Sequence, residues 1–258
     1  MVDYRQMKQT ILCLGLISIS VLFALSNLPS ETEAEGTKSF QIDDFNKAKK
    51  FLRRIYRKGG YDFYCSCPFQ VSSSLEGRFE IQREQCALES RTGNERSKYI
   101  EWEHIVPAHA FGKHRSCWTD DSCYVQGKKV KGRKCCQGTD PEFREIEADL
   151  HNLVPAPGEL NQDRGNFDFG IIPGEPRQYG ACDFEVNFSE AVAEPREAIR
   201  GDIARIYFYM EKQWGVEIQK SKRTLYEKWN QEDPVDTFEI QKNEAVEKVQ
   251  GRKNPFIP

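Results

Sequence analysis

Apolar and polar positions divide the chain into segments of different rhythm. Residues 10–25 form an apolar run of 16 with no charge inside it, preceded by Arg5 and Lys8. That length suits the core of an export signal and is short for a bilayer-spanning helix, which takes roughly 20 residues. Ala24 and Ser26 supply the small side chains a signal peptidase inspects, so residues 1–26 are read as a signal peptide. Residues 27–39 are polar and read as a disordered lead-in. Beyond them Asp43 and Asp44 can cap a helix whose stripe is Phe45, Ala48, Leu52, Ile55 and Tyr56. Residues 78–82 alternate as a strand, and 99–106 read as another, stopped by Pro107. Residues 141–149 suit a short helix, 203–210 are apolar enough for a core helix, and 225–229 begin one more. Helices and short strands intermix, so the class is α+β. Residues 40–258 hold no Gly/Ser tract, Pro-rich spacer or repeat and read as one domain.

Cysteine usage fixes the expected compartment. Cys13 leaves with the signal, and Cys65, Cys67, Cys86, Cys117, Cys123, Cys135, Cys136 and Cys182 remain. An even set on an exported chain argues for disulfides. Zinc is the competing use of closely spaced thiolates such as Cys65 and Cys67, but no CxxC pair is present. Eight cysteines allow about a hundred connectivities, so the pairing stays open. Only the neighbours Cys135 and Cys136 are expected to take different partners.

The charge balance changes this picture less than its distribution does. The whole chain carries −3, and without residues 1–26 it keeps 35 basic against 39 acidic residues. That alone argues mildly against a polyanionic partner. Yet Lys47, Lys49, Lys50, Arg53, Arg54, Arg57 and Lys58 follow one another with no acid between them. Lys128, Lys129, Lys131, Arg133 and Lys134 make a second cluster. Such local positive surface binds phosphates even on an acidic protein. Solvated helix and loop faces are the plain alternative, stronger for the first cluster than for the second, which cysteines tie into the fold.

Three of the four histidines lie between His104 and His114, and Glu103 directly precedes His104. A neutral imidazole can take a proton from water, and a carboxylate can hold a hard divalent cation. Phosphodiester hydrolysis needs both functions. Neighbours in a regular strand point to opposite faces, so Glu103 and His104 share a site only where the strand twists or breaks, and Pro107 makes a break plausible. An isolated Glu-His pair is more often a surface or core feature, so the motif needs partners. Residues 147–166 offer them: Asn152 at a turn, with an amide oxygen fit for a metal, and Arg164 some three helical turns later, fit for a phosphate.

In order along the chain, YCSC (64–67), EWEHIVPAHAFG (101–112), EADLHNLVPAPGELNQDRGNF (147–167), GDIARIYFYM (201–210) and NPF (254–256) resemble the endonuclease I family of bacterial periplasmic and extracellular nucleases. The resemblance runs from about residue 40 to the end. It implies a mixed α/β domain with a ββα-metal, or His-Me finger, site. It also implies cleavage of DNA, and of RNA, with little sequence preference, leaving 5′-phosphate and 3′-hydroxyl ends. By motif it makes His104 the general base, Glu103 and Asn152 the metal ligands, and Arg133 of the R-K-x-C stretch the phosphate-binding arginine. Lys134 and Arg164 are expected to touch nucleic acid. His109 and His114 are read as non-catalytic neighbours, and His151 as structural or substrate-side. The implied metal is Mg²⁺, with Mn²⁺ or Ca²⁺ able to take its place. The implied setting is periplasmic or secreted, as a monomer without stable membrane association after signal cleavage. A secreted polyanion-binding module without catalysis is the rival reading. A zinc protease is another, against which stand the missing HExxH and the five-residue spacing of His104 and His109.

Overall fold

Asp44 starts the first described helix by accepting the N–H groups of Asn46 and Lys47 at 2.8 and 2.9 Å. A computed structural model describes residues 42–73, 77–174 and 176–258. The expected signal peptide, the lead-in and the first residues of the expected domain lie outside these. Helix α1 (Phe45–Ile55) buries Ala48 and Leu52. Its expected apolar stripe is corrected at one end. The helix stops at Ile55, which stays 36% exposed, while Tyr56, in the cap position, turns into the core.

Strands β1 (Gly60–Tyr61), β2 (Pro68–Val71) and β3 (Phe79–Ile81) make an antiparallel sheet in that order. Strand β4 (Ile100–His104) follows, then helices α2 (Ala108–Gly112) and α3 (Ser116–Thr119). A two-stranded arm, β5 (Tyr124–Val125) and β6 (Lys128–Lys129), leads into α4 (Arg133–Thr139) and α5 (Pro141–Glu147). Strand β7 (Leu153–Pro157) runs straight into helix α6 (Gly158–Arg164). Strands β8 (Asp168–Phe169), β9 (Phe184–Asn187) and β10 (Val192–Pro195) form a second sheet. Its central strand β10 pairs parallel with β8 and antiparallel with β9. Helices α7 (Arg200–Trp214), α8 (Lys220–Glu232) and α9 (Thr237–Gln250) close the chain. The mixture is the α+β class expected. The core helix extends beyond 203–210 at both ends, and α8 begins earlier than 225.

What positions the site is the antiparallel pair of β4 and β7, with Trp102 opposite Pro155, Glu103 opposite Val154 and His104 opposite Leu153. Alternation sends Trp102 against Tyr56 and Phe79 and sets the His104 ring 4.8 Å from Phe45. Glu101 and Glu103 face the other way, toward α6, where Asn161 and Arg164 meet them. Two antiparallel strands and the helix that follows the second thus form one packed unit.

All eight cysteines from Cys65 to Cys182 are paired: Cys65–Cys182, Cys67–Cys86, Cys117–Cys136 and Cys123–Cys135. The zinc alternative for these thiolates is thereby replaced, and Cys135 and Cys136 do part ways. Asp62 fastens the first two bridges by accepting the N–H groups of Cys65 and Cys67 at 2.8 and 2.7 Å.

Candidate active site

The strand β4 ends at His104, and Asn152 shapes the bend that follows. Its amide accepts from the Val106 N–H at 2.7 Å and donates to the Val106 carbonyl at 2.9 Å, much as a neighbouring strand would. Its own carbonyl takes the Ile105 N–H at 3.0 Å. Through this bend Glu103 and His104, although on opposite faces of the strand, both line one cleft of about 790 Å³.

His104 is 6% exposed, and its Nε2 lies 2.8 Å from the Glu147 carbonyl oxygen. A carbonyl only accepts, so Nε2 carries the hydrogen and Nδ1 keeps its lone pair. Nδ1 makes no hydrogen bond among the described residues. Burial, and after it the positive charge of Arg133, pushes the imidazole down to about 3. The ring is therefore a neutral acceptor at ordinary pH.

Glu147, which the sequence reading passed over, holds a second group. Its buried carboxylate accepts from Arg133 Nε at 2.5 Å and from Gln137 Nε2 at 2.8 Å. Arg133 lines the cleft with its guanidinium 5.5 Å from the Phe45 ring centre. One residue thus orients the histidine through its backbone and the arginine through its side chain. Its signal was in the sequence only as one acid among several in 142–149.

Glu103 is 4% exposed, and its Oε1 accepts from Tyr64 Oη at 2.8 Å and Arg164 Nη1 at 3.0 Å. Burial raises its carboxyl above the usual range, against the pull of the Arg164 charge and the Tyr64 hydroxyl. Neither bond uses Oε2.

Two expectations are corrected here. Asn152 is fully buried and both ends of its amide belong to Val106, so it has no atom left for a metal. The cleft instead receives Asn161, from the middle of α6. Its Nδ2 donates to Glu101 Oε2 at 3.1 Å, and its Oδ1 makes no hydrogen bond among the described residues. Arg164 is likewise no phosphate contact. It is fully buried and donates to Glu103, to the carbonyls of His104 and Ile105 at 2.8 and 2.7 Å, and to the Phe167 carbonyl at 3.1 Å. A guanidinium occupied in this way braces β4 and cannot reach a substrate.

The remaining expected residues scatter. Lys134 is exposed on α4, outside the cleft and beside the β5–β6 arm. His109 stands at the cleft rim near Trp118, and His114 is exposed. His151 is structural, its Nε2 donating to the Arg252 carbonyl at 3.0 Å and its ring packed on Tyr209. From the first basic cluster, Lys49 and Arg53 line the cleft, joined there by Arg78 and Arg96. Arg96 is engaged by Glu101.

Glu103 and Asn161 bring a carboxylate and an amide oxygen to the same cleft, a hard donor pair of the kind a small divalent cation prefers over nitrogen or sulfur. The other acid clusters with metal-like spacing, around Asp62 and around Asp120, depend on cysteines already bound in disulfides.

Comparison with known proteins shows the family of the chain. The Endonuclease I family model matches residues 41–258. An extracellular deoxyribonuclease of Aeromonas hydrophila is 40% identical over 217 residues, covering 84% of this chain and 88% of that one. A periplasmic deoxyribonuclease of the same species is 36% identical over 248 residues, covering 96% and 95%. Endonuclease-1 of Buchnera aphidicola is 34% identical over 220 residues, covering 85% and 82%. With the family matched over every described residue, the chain belongs to the Endonuclease I family.

Proposed function

We propose that this protein is a metal-dependent endonuclease that acts outside the cytoplasm and hydrolyses DNA, and RNA, with little regard to sequence. One observation carries the reading. A neutral imidazole, an oriented arginine and a hard-oxygen donor pair meet in a single cleft lined by further cations. The four disulfides and the extracellular and periplasmic relatives support the compartment. Among the described residues no helix is long and apolar enough to cross a membrane.

The geometry supports the following roles. His104 Nδ1 accepts a proton from the attacking water while its Nε2–H stays on the Glu147 carbonyl, which supports the imidazolium as it forms. Arg133, steadied by Glu147, meets negative charge growing on the phosphate. Lys49 and Arg53 draw the backbone in. Glu103 and Asn161 are the residues that would hold a divalent cation, with Mg²⁺ the best fit to oxygen donors. Such an ion supplies positive charge at the scissile phosphate. The bond between phosphorus and the 3′ oxygen would break, and the leaving oxygen would take a proton from solvent, giving 5′-phosphate and 3′-hydroxyl ends. Together the β4–β7 pair and α6 would then be the ββα-metal unit.

Plasmid DNA incubated with purified protein and Mg²⁺ tests this. Nicking and then degradation are expected, abolished by EDTA. His104→Ala should lower turnover by roughly 10²–10⁴-fold while DNA binding stays. Binding without cleavage by the wild type would replace the enzyme with the polyanion-binding module.

A further inference from the structure

Between Trp118 and Arg133 the chain leaves the cleft rim and returns to it. The excursion is the β5–β6 arm, paired Tyr124 to Lys129 and Val125 to Lys128. Its two-residue turn, Gln126-Gly127, has φ of 50° and 75° at successive positions, the left-handed pair that lets a tight hairpin follow the strand twist. The arm is fixed at its base by Cys123–Cys135, and Cys117–Cys136 fastens α3 to α4 alongside. Val125 packs onto α4 so closely that a side chain at Gly138 would collide with it, at 2.3 Å from the nearest Val125 atom.

That packing decides what the other face shows. Because neighbours alternate, Tyr124 points away from the Val125 side, and it is 63% exposed, beside its cross-strand partner Lys129. Lys128, opposite Val125, and Lys134, on α4, are exposed on the α4 side of the arm, along a shallow groove that Tyr124 also lines, so a strand that meets all three lysines crosses the arm from one face to the other. None of Lys128, Lys129 and Lys134 forms an ion pair among the described residues, whereas Lys131 pairs with Asp121. The Asp120 carboxyl is held low first by Ser122 and only after that by the Lys129 charge.

We propose that the arm is an accessory strand-binding element. It would hold a single-stranded or locally unpaired stretch of polynucleotide as that strand leaves the catalytic cleft past Trp118, with Tyr124 stacked on one base and Lys128, Lys129 and Lys134 on the flanking phosphates. An aromatic ring among unpaired lysines, on a rigid base continuous with a phosphate-binding cleft, is the combination that suits nucleic acid without base reading. Two bridges and the Val125 contact keep the arm in place, so little backbone ordering opposes binding. The inference rests on the nuclease reading above.

The test compares wild type, Tyr124→Ala, Tyr124→Phe and Lys128→Gln/Lys129→Gln by fluorescence anisotropy in EDTA. The probes are labelled oligothymidylates of about six and about thirty nucleotides, the shorter spanning only the cleft. Tyr124→Ala should weaken the longer strand roughly five- to tenfold and leave the shorter unchanged, while Tyr124→Phe keeps wild-type affinity for both. The double lysine variant should flatten the salt dependence on the longer strand by about two units of slope. Cleavage of the short oligonucleotide with Mg²⁺ should be equal in all four proteins, which shows the cleft intact. If the wild type binds and cleaves but Tyr124→Ala matches it on the longer strand, the arm proposal is wrong and the nuclease reading stands. A wild type that neither binds nor cleaves either strand removes both.

Discussion

At the scale of single residues, the decisive contrast is between two asparagines nine positions apart. Both sit in the stretch that carries the family resemblance, and both offer the same amide. Sequence alone favours Asn152, beside a histidine and at a turn. Only pairing shows that its amide is spent on Val106, because which side of β7 or α6 faces the cleft depends on partners far away in the chain. The two should therefore fail in different ways. Asn161→Ala is expected to cleave slowly at low Mg²⁺ and recover as Mg²⁺ rises, with an unchanged melting temperature. Asn152→Ala leaves the Val106 N–H buried and unpaired, which costs about 1–3 kcal/mol, and extra metal should not restore it. Melting curves and Mg²⁺ titrations on both variants decide. A metal-rescued, fully stable Asn152 variant would contradict the assignment. His104, Glu103 and Arg133 could be named in advance because their motifs are local, and all three line the cleft. Arg164 was misread because a lone arginine in a helix looks the same whether it reaches outward or braces a strand from inside.

At the scale of elements, α1 shows what a pattern can and cannot settle. Its cap and its buried Ala48 and Leu52 follow from spacing, but its basic run could have been merely solvated. With α1 packed beside α5 and Phe45 against the His104 ring, Lys49 and Arg53 line the cleft, while Arg57 and Lys58 stay outside it. Burial, and next the neighbouring Arg53, lowers the Lys49 ammonium below its ordinary range, as expected of a crowded positive site. Lys49→Ala and Arg53→Ala should each reduce the slope of log affinity against log salt by about one, with smaller changes from Arg57→Ala and Lys58→Ala. Equal effects at all four positions would mean the helix acts only through net charge. Strands β8, β9 and β10 escaped the sequence reading, since two to four residues hold too few alternations to stand out. The parallel pairing of β10 with β8 is a contact made by the fold and is written in no local motif.

For the molecule as a whole, buried ionisable groups link stability to pH. Asp62, 2% exposed, is raised from 3.8 to about 6, chiefly by burial and against the N–H groups of Cys65 and Cys67. The folded state then binds more protons than the unfolded state between these two values. The contribution of Asp62 is full below the unfolded value and declines as pH rises through about 6. The melting temperature of wild type minus that of Asp62→Asn should fall as pH climbs from about 4 to about 6 and level off above. A difference that is flat over that range would show that Asp62 keeps its ordinary affinity for protons.

The connectivity of the bridges has a consequence for how the chain is made. Three of the four pairs close loops of 12 or 19 residues, but Cys65 joins Cys182 across 117. A chain delivered N-terminus first to an oxidising space presents Cys65, Cys67 and Cys86 long before Cys182 arrives. A catalyst that joined cysteines in order of arrival would link Cys65 to Cys67 or Cys86 and leave the wrong thiols over. Correct maturation then requires that Cys65 stay open or that its first partner be reshuffled, and refolding of the reduced chain with an oxidase is expected to give more active protein when a disulfide isomerase is added.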